Sequence, residues 1–361
     1  MAKVNQYQIM FTGECHAELV ENPAESRYGN VPNMSIPMGP TEVAGETLYT
    51  LMSAGTEMAA YTGFYHKQNI PYGMFPFKPG YAACFRVDTV GEEVTDIKPG
   101  DICFCMGAHC SRQRKNRIDV IKVPEGMDPV KVPFARLMNV TMSTLSDSLA
   151  KPPAKVMVSG LGIVGVMGAL AFQHCGYDVI AIDPIESRRK AAEECGIKKT
   201  FASAPFDDPD YGGQIALVVE CSSMESAALD GVKMTRRGGE VILVGTQIEA
   251  HGDHQAHDLL QAIFRGNVSV RGGSEWRVPL HDVDPAKVTV NAGPQPLHYD
   301  WHNSSFTQMK YAMQWINEGA INVEPLMLIE DPANCTEVYE KARTRAYPKP
   351  AIIFDWSKIN G

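Results

Sequence analysis

The chain has 361 residues, 44% of them hydrophobic and 21% charged, with 31 glycines and 24 prolines. That balance excludes a disordered or fibrous chain and leaves room for two domains with sizeable cores. The formal net charge of −9 disfavours generic nucleic-acid binding, which needs a basic surface against phosphates. The nine cysteines are odd in number and lack C-x-x-C spacing, and no apolar run reaches about 18 residues. A soluble cytoplasmic protein with reduced thiols and no membrane partner is therefore expected.

In chain order, the first half is a series of short Val-, Ile-, Phe- and Cys-containing segments broken by Gly and Pro, as in FKPGYAACFRVDTVGEEVTDIKPGDICFCMG over 77–107. This spacing predicts several short strands joined by turns, a compact β domain. Cys103 and Cys105 fall on one face of such a strand, which reads as core packing rather than a ligand pair. The basic run RQRKNR over 112–117 reads as a solvated loop. From Lys151 the texture changes: KPPAKVMVSGLGIVGVMGALAFQHCGYDVIAID predicts a strand, a glycine turn, a helix and a second strand. IALVVECSS, GGEVILVG and NVSVRGGS then supply further short apolar runs separated by helical or turn segments. Strands alternating with helices predict a parallel sheet. The double proline at 152 and 153 marks a natural boundary. The tail, 305–345, contains two amphipathic helix candidates and is followed by a strand in KPAIIFDW.

The strongest motif is Gly160-Leu161-Gly162-Ile163-Val164-Gly165, between the strand KVMVS and a helix. The first two glycines permit a tight turn and close backbone approach to a pyrophosphate, and the third lets helix and strand pack closely. The helix start then offers the phosphates unpaired N–H groups and a positive dipole end. Asp183 closes the second strand, where a carboxylate accepts hydrogen bonds from ribose hydroxyls and repels a 2′-phosphate. NAD is therefore the expected cofactor and NADP the less favoured one, although Arg188 and Arg189 lie close by. In HGDHQAHD, His254, His257 and Asp258 fall on one face of a candidate helix, a spacing that suits metal ligands, substrate contacts or a polar surface.

With this fingerprint in the second half of a chain whose first half is β-rich, the layout resembles the medium-chain dehydrogenase/reductase superfamily. GPTEVAGETLYTLMSAGTEMAAYTG resembles the strand and loop that normally carry Cys-Gly-Thr-Asp. The 77–107 segment is similar to the Pro-Gly-His-Glu, Val-Gly and Gly-Asp-Arg-Val stretches. VVECSS, RRGGEVILVG, VSVRGGS and AIIFDW follow the same pattern. The resemblance implies an α/β fold: a GroES-like β-rich catalytic domain from both chain ends (1–148 and 300–361) and a Rossmann doubly wound parallel sheet between them (149–299). It also implies cofactor contacts at Ile163, Val164, Arg188, Cys221, Ser222, Val244, Gly245, Thr246, Gly273 and Ser274, and a homodimer or homotetramer.

The departures concern zinc. The positions of the family's catalytic zinc ligands correspond to Ala54, Tyr81 and Arg136, with Ala82 replacing a Glu, and the lobe of four cysteines that holds structural zinc is missing. Alanine and arginine are not zinc donors, so no metal is expected. Without zinc, side chains must supply the acid, base and hydrogen-bond donors of an alcohol oxidation. Thr56 matches the family hydroxyl that contacts the substrate oxygen. Tyr81 either exchanges a proton with the substrate or simply fills the vacated metal site. Glu57 is a base, a sugar-hydroxyl acceptor or a structural partner of backbone or arginine; His109 either contacts substrate or is structural. Arg136 binds an anionic group or neutralises Glu57, and with His109 and Trp276 it favours a polar small-molecule substrate. The expected activity is a zinc-independent, NAD-dependent interconversion of a secondary alcohol (a sugar, polyol or derivative) and a ketone. The alternatives are an NAD(P)H-dependent reductase of quinones or activated double bonds, and a non-catalytic nucleotide-binding protein.

Overall fold

The computed structural model describes residues 6–21, 37–245, 252, 256–282 and 303–360. Two compact units divide the chain: Met1–Arg136 with Met327–Gly361, and Leu137–Leu326. The first contains β1 (Tyr7–Gly13), β2 (His16–Glu21), β3 (Glu42–Leu51), α1 (Ala54–Tyr61), α2 (Phe64–Lys67), β4 (Ala83–Val90), β5 (Ile102–Cys105), β6 (Arg112–Asn116) and β7 (Val120–Lys122). Helix α3 (Phe134–Asp147) begins there and continues into the second unit. That unit holds β8 (Lys155–Ser159), α4 (Ile163–His174), β9 (Asp178–Ile182), α5 (Glu186–Glu194), β10 (Thr200–Phe201) and β11 (Ile215–Glu220). It continues with α6 (Glu225–Met234), β12 (Thr235–Leu243), α7 (Ala256–Gly266), β13 (Ser269–Gly272) and α8 (Ser305–Asn317). The chain returns to the first unit with β14 (Met327–Glu330), α9 (Cys335–Arg343), β15 (Ala351–Asp355) and α10 (Ser357–Asn360).

The division falls earlier than residue 148 and later than residue 300, and the double proline lies inside the second unit rather than at its edge. Packing explains the shift. A Cβ on Gly168 of α4 would sit 2.9 Å from the Thr141 side chain of α3. Asn139 donates to Gln308 at 2.7 Å, and Gln308 donates to the Ser146 hydroxyl at 2.9 Å. These bonds tie most of α3 and all of α8 to the parallel-sheet unit.

In the first unit, β14, β15, β3, β4, β5 and β7 follow one another across a mostly antiparallel sheet, with β6 also on β3 and β1–β2 as a separate pair. Strand β14, unforeseen in the sequence, runs parallel to β15. Cys103 and Cys105 of β5 pack with Val43, Phe85, Val87 and Val120 in a buried cluster, and all nine cysteines are free thiols. The basic run is a strand, not a solvated loop. β6 pairs with β3 through Glu42↔Asn116 to Glu46↔Arg112, and carboxylates meet its arginines: Arg112 with Asp88 and Arg114 with Glu42. Arg117, just beyond the strand, pairs with Asp96.

The second unit is a six-stranded parallel sheet in the order β10, β9, β8, β11, β12, β13. Relative to its own chain order this is 3-2-1-4-5-6, the doubly wound Rossmann arrangement, and its switch point lies between β8 and β11. β11 is buried at every residue, as a central parallel strand covered on both faces should be. Among the described residues no helix is long and apolar enough to cross a membrane.

Candidate functional site

In the first unit, β3 and β4 are antiparallel neighbours, Thr50 opposite Ala83. Antiparallel pairing puts the end of one strand beside the start of the other, so Ser53, just after β3, meets Tyr81, just before β4. The Tyr81 hydroxyl donates to Ser53 Oγ and lies 3.4 Å from Thr56 Oγ1. The Arg136 guanidinium carbon stands 4.7 Å from the centroid of the Tyr81 ring. Thr56, Tyr81 and Arg136, named separately from the sequence, thus share one site with Ser53, which the sequence reading omitted.

Ser53 occupies the N-cap of α1 but makes no side-chain cap bond. N-cap serines ordinarily use the hydroxyl to cap the helix. Here Glu57 turns back to accept the Ser53 backbone N–H at 2.7 Å, and the serine hydroxyl serves the tyrosine instead.

Glu57 and His109 are 1% and 0% exposed. Glu57 Oε2 accepts from the Tyr339 hydroxyl at 2.5 Å and lies 3.1 Å from His109 Nε2. His109 Nδ1 is 2.7 Å from Thr50 Oγ1, which accepts from Trp356 Nε1 at 2.9 Å. A tautomer with hydrogen on Nε2 satisfies every group: the threonine donates to Nδ1 and the imidazole donates to the carboxylate. Both side chains are buried and hydrogen-bonded to each other within this network. Burial, then the nearby Glu57 charge, pushes the Tyr339 phenol well above its ordinary value, so it remains a neutral donor. Gly80 is needed beside this network: its φ is +94°, and a Cβ would approach His109 N to 2.6 Å.

In the second unit the nucleotide motif forms at the carboxyl ends of the strands. Gly160 has φ +87°, and a Cβ there would lie 2.7 Å from Ser222 N. A Cβ on Gly165 would come within 1.8 Å of the Gly160 carbonyl oxygen, whereas one on Gly162 would meet nothing within 4 Å. Gly162 caps α4 with an ordinary φ of −68°, so neither backbone nor packing demands a glycine there; the space beside it is open, as close approach of a phosphate to a helix start would require. Further along the edge, a Cβ on Gly245 would lie 2.7 Å from Ser223 N, and one on Gly273 2.7 Å from the Val244 side chain. The loops after β8, β11, β12 and β13 therefore touch through their glycines, and Cys221, Ser222, Val244, Gly245 and Gly273 come together with the fingerprint. Ser274 directly follows Gly273.

Asp183 is 2% exposed. Its Oδ2 accepts Leu161 N at 2.8 Å and meets Arg188 Nη1 at 3.4 Å, while Oδ1 accepts Ile185 N at 2.9 Å. A carboxylate offers about four lone-pair directions, so capacity remains for a ribose hydroxyl. The fully buried Glu220 is a second organiser that sequence reasoning passed over. Its carboxylate accepts Ser222 N at 2.6 Å, the Ser222 hydroxyl and Ser223 N at 3.3 Å, while its carbonyl accepts Val244 N and Gly245 N, both at 2.8 Å. Burial raises its pKa and the serine bonds oppose that rise. The available signal was an acid at the end of an otherwise apolar strand, IALVVE.

Residues 160–277 match the model of the zinc-binding dehydrogenase family. An alcohol dehydrogenase of Moraxella sp. (strain TAE123) is 26% identical over 57% of this chain and 71% of its own. Mouse sorbitol dehydrogenase is 22% identical over 79% and 89%. The solved structure of acetophenone reductase from Geotrichum candidum NBRC 4597 superposes with a TM-score of 0.71 at 16% identity, covering 98% of each chain. Fold and family match together support the resemblance to the medium-chain dehydrogenases/reductases. This chain is an oxidoreductase.

Against that superfamily's zinc chemistry, the donor set here does not fit. Ala54 offers no donor, and the neighbours of Tyr81 are hydroxyls and a guanidinium cation rather than thiolate, imidazole and carboxylate. Among the described residues no three His, Cys, Asp or Glu side chains gather as a metal would require. Trp276 lies in a short 3-10 turn, Glu275–Arg277, and is largely exposed. Thr246 and His254 fall outside the described residues, so the 251–258 segment adds only His257 and Asp258, both exposed at the start of α7.

Proposed function

We propose that this protein is a zinc-independent, NAD-dependent oxidoreductase that interconverts a secondary alcohol of a polar substrate, a sugar, polyol or derivative, and the corresponding ketone. The observation that carries this reading is the cluster of Ser53, Thr56 and Tyr81 hydroxyls beside Arg136, with Tyr81 and Arg136 at positions that resemble those of zinc ligands. The nicotinamide nucleotide, when bound, accepts or returns the hydride. The residues supply the rest. Thr56 holds the reacting oxygen and Tyr81 takes or returns its proton, work a metal-lowered hydroxyl pKa would otherwise do. The alcohol and sorbitol dehydrogenases among the relatives support an alcohol substrate, and Asp183 supports NAD over NADP. An assembly of two or four copies belongs to the same proposal and is read by light scattering.

The test is NADH formation by chelator-treated protein, given NAD and a panel of sugars, polyols and simple secondary alcohols. Turnover on a polyhydroxylated substrate, lost by roughly 10²–10⁴-fold in Tyr81→Phe, is expected. Bound nucleotide with no turnover on any alcohol would replace this reading with reduction of quinones or activated double bonds. Restoration of activity only by added zinc would overturn zinc independence.

A further inference from the structure

We infer that Arg136 and Ser53 are positioning residues that stabilise the phenolate oxyanion of Tyr81, making this tyrosine the group that takes the substrate proton; the inference rests on the reading above. Two independent contacts point to it. The guanidinium, 2% exposed, stands 4.7 Å from the Tyr81 ring centroid, and a cation at such a distance favours the ionised form of an acid. The Ser53 hydroxyl, which makes no cap bond to α1, bonds the phenol oxygen. On ionisation it needs only to rotate to become a donor.

Other charged and titratable groups surround the phenol. Tyr65 and Tyr72 both interact electrostatically with Tyr81. The Tyr72 phenol is raised by burial first, then by Tyr81 and Glu57, and lowered by Arg136. The buried Glu57 carboxylate opposes a second negative charge nearby, and Arg136 is the cation that offsets it. This makes Arg136 part of the acid–base machinery, where the sequence suggested a substrate anchor or a counterion for Glu57.

The step balances. The substrate O–H bond breaks and its proton goes to the Tyr81 oxygen as the carbinol C–H electron pair leaves with its hydrogen to the NAD acceptor. The substrate becomes the ketone and NAD becomes NADH, and the neutral phenol then returns its proton to water. In the direction of oxidation the rate therefore rises with pH as Tyr81 ionises, and loss of Arg136 displaces that rise to higher pH.

The experiment uses full-length protein carrying ring-labelled tyrosine. The Tyr81 resonance, assigned by its absence in Tyr81→Phe, is followed through a pH titration in wild type, Arg136→Gln, Arg136→Lys and Ser53→Ala. Ionisation at higher pH in Arg136→Gln and Ser53→Ala, with recovery in Arg136→Lys, is expected. The matching kinetic change is a loss of kcat/KM of about tenfold or more on the acid side of the profile for Arg136→Gln. Should Arg136→Gln fail to fold, Arg136→Lys and Ser53→Ala carry the comparison. An unchanged Tyr81 titration in the folded variants overturns the inference even if alcohols are oxidised. A displaced titration without alcohol turnover leaves the inference standing and removes the proposed reaction.

Discussion

Gly162 and Gly165 are the same residue type in one motif, yet they are glycine for different reasons. A methyl at 165 would overlap the Gly160 carbonyl oxygen at 1.8 Å, whereas at 162 it would enter open space from an ordinary backbone conformation. Gly165→Ala should destabilise the fold by about 1–3 kcal/mol, the usual scale of overpacking, as read by urea denaturation. Gly162→Ala should melt like wild type and lose nucleotide affinity, as read by NADH fluorescence titration. Equal nucleotide affinity in Gly162→Ala would show that the open space is not where phosphate sits. The spacing of these glycines and of Asp183 is local, and so was legible in the sequence. Ser53 was not, because its role depends on Tyr81 from another segment; Glu220 was not, because its contacts with the adjacent serines organise a site only where the loop after β12 closes on its carbonyl.

At the scale of elements, α1 owes its placement to a carboxylate on its first turns. Glu57 fixes the Ser53 amide on one oxygen and meets Tyr339 of α9 and His109 on the other. Tyr339→Phe keeps the ring packing against Phe11 and Phe354 and removes a donor to a buried charge, so a cost of about 1.5–3 kcal/mol is expected. The pH dependence has a definite sign. The folded Tyr339 phenol titrates well above its ordinary value because of burial and Glu57, so its stabilisation is complete below about pH 10, where free tyrosine titrates. It is then lost as the pH rises toward the folded value. Denaturation curves should show this alkaline loss in wild type and a smaller one in Tyr339→Phe; identical slopes would mean that Tyr339 titrates normally. The sequence pointed to the loop carrying Glu57 but not to its partner, 282 residues away. Element type was likewise readable where periodicity was strong, as in the β–α alternation after Lys151. The arginines of β6 concealed a strand because their charges are met by carboxylates of other segments.

At the scale of the whole molecule, each unit has its own core: Phe11, Tyr61, Tyr339, Phe354 and Trp356 in one, and Met157, Ile180, Val218, Val241 and Val268 in the other. The chain passes between the two units after Arg136 and Leu326, and the proline pair lies just ahead of β8 within the second. A ligand of the parallel sheet should therefore act first on the second unit. Saturating NADH, at about 100 times its dissociation constant, should stabilise the native state by about 2.7 kcal/mol. Hydrogen exchange should slow at 160–165, 221–223 and 244–245, loops brought into contact at the strand ends by Gly160 and Gly245. NADPH at equal concentration should stabilise less, since its 2′-phosphate must approach the Asp183 carboxylate. Arg188 at 3.4 Å and Arg189, which donates to the Asp183 carbonyl at 2.7 Å, set a competing field. If NADPH stabilises as well as NADH in wild type and loses that effect in Arg188→Ala, the arginine outweighs the carboxylate and the cofactor preference reverses.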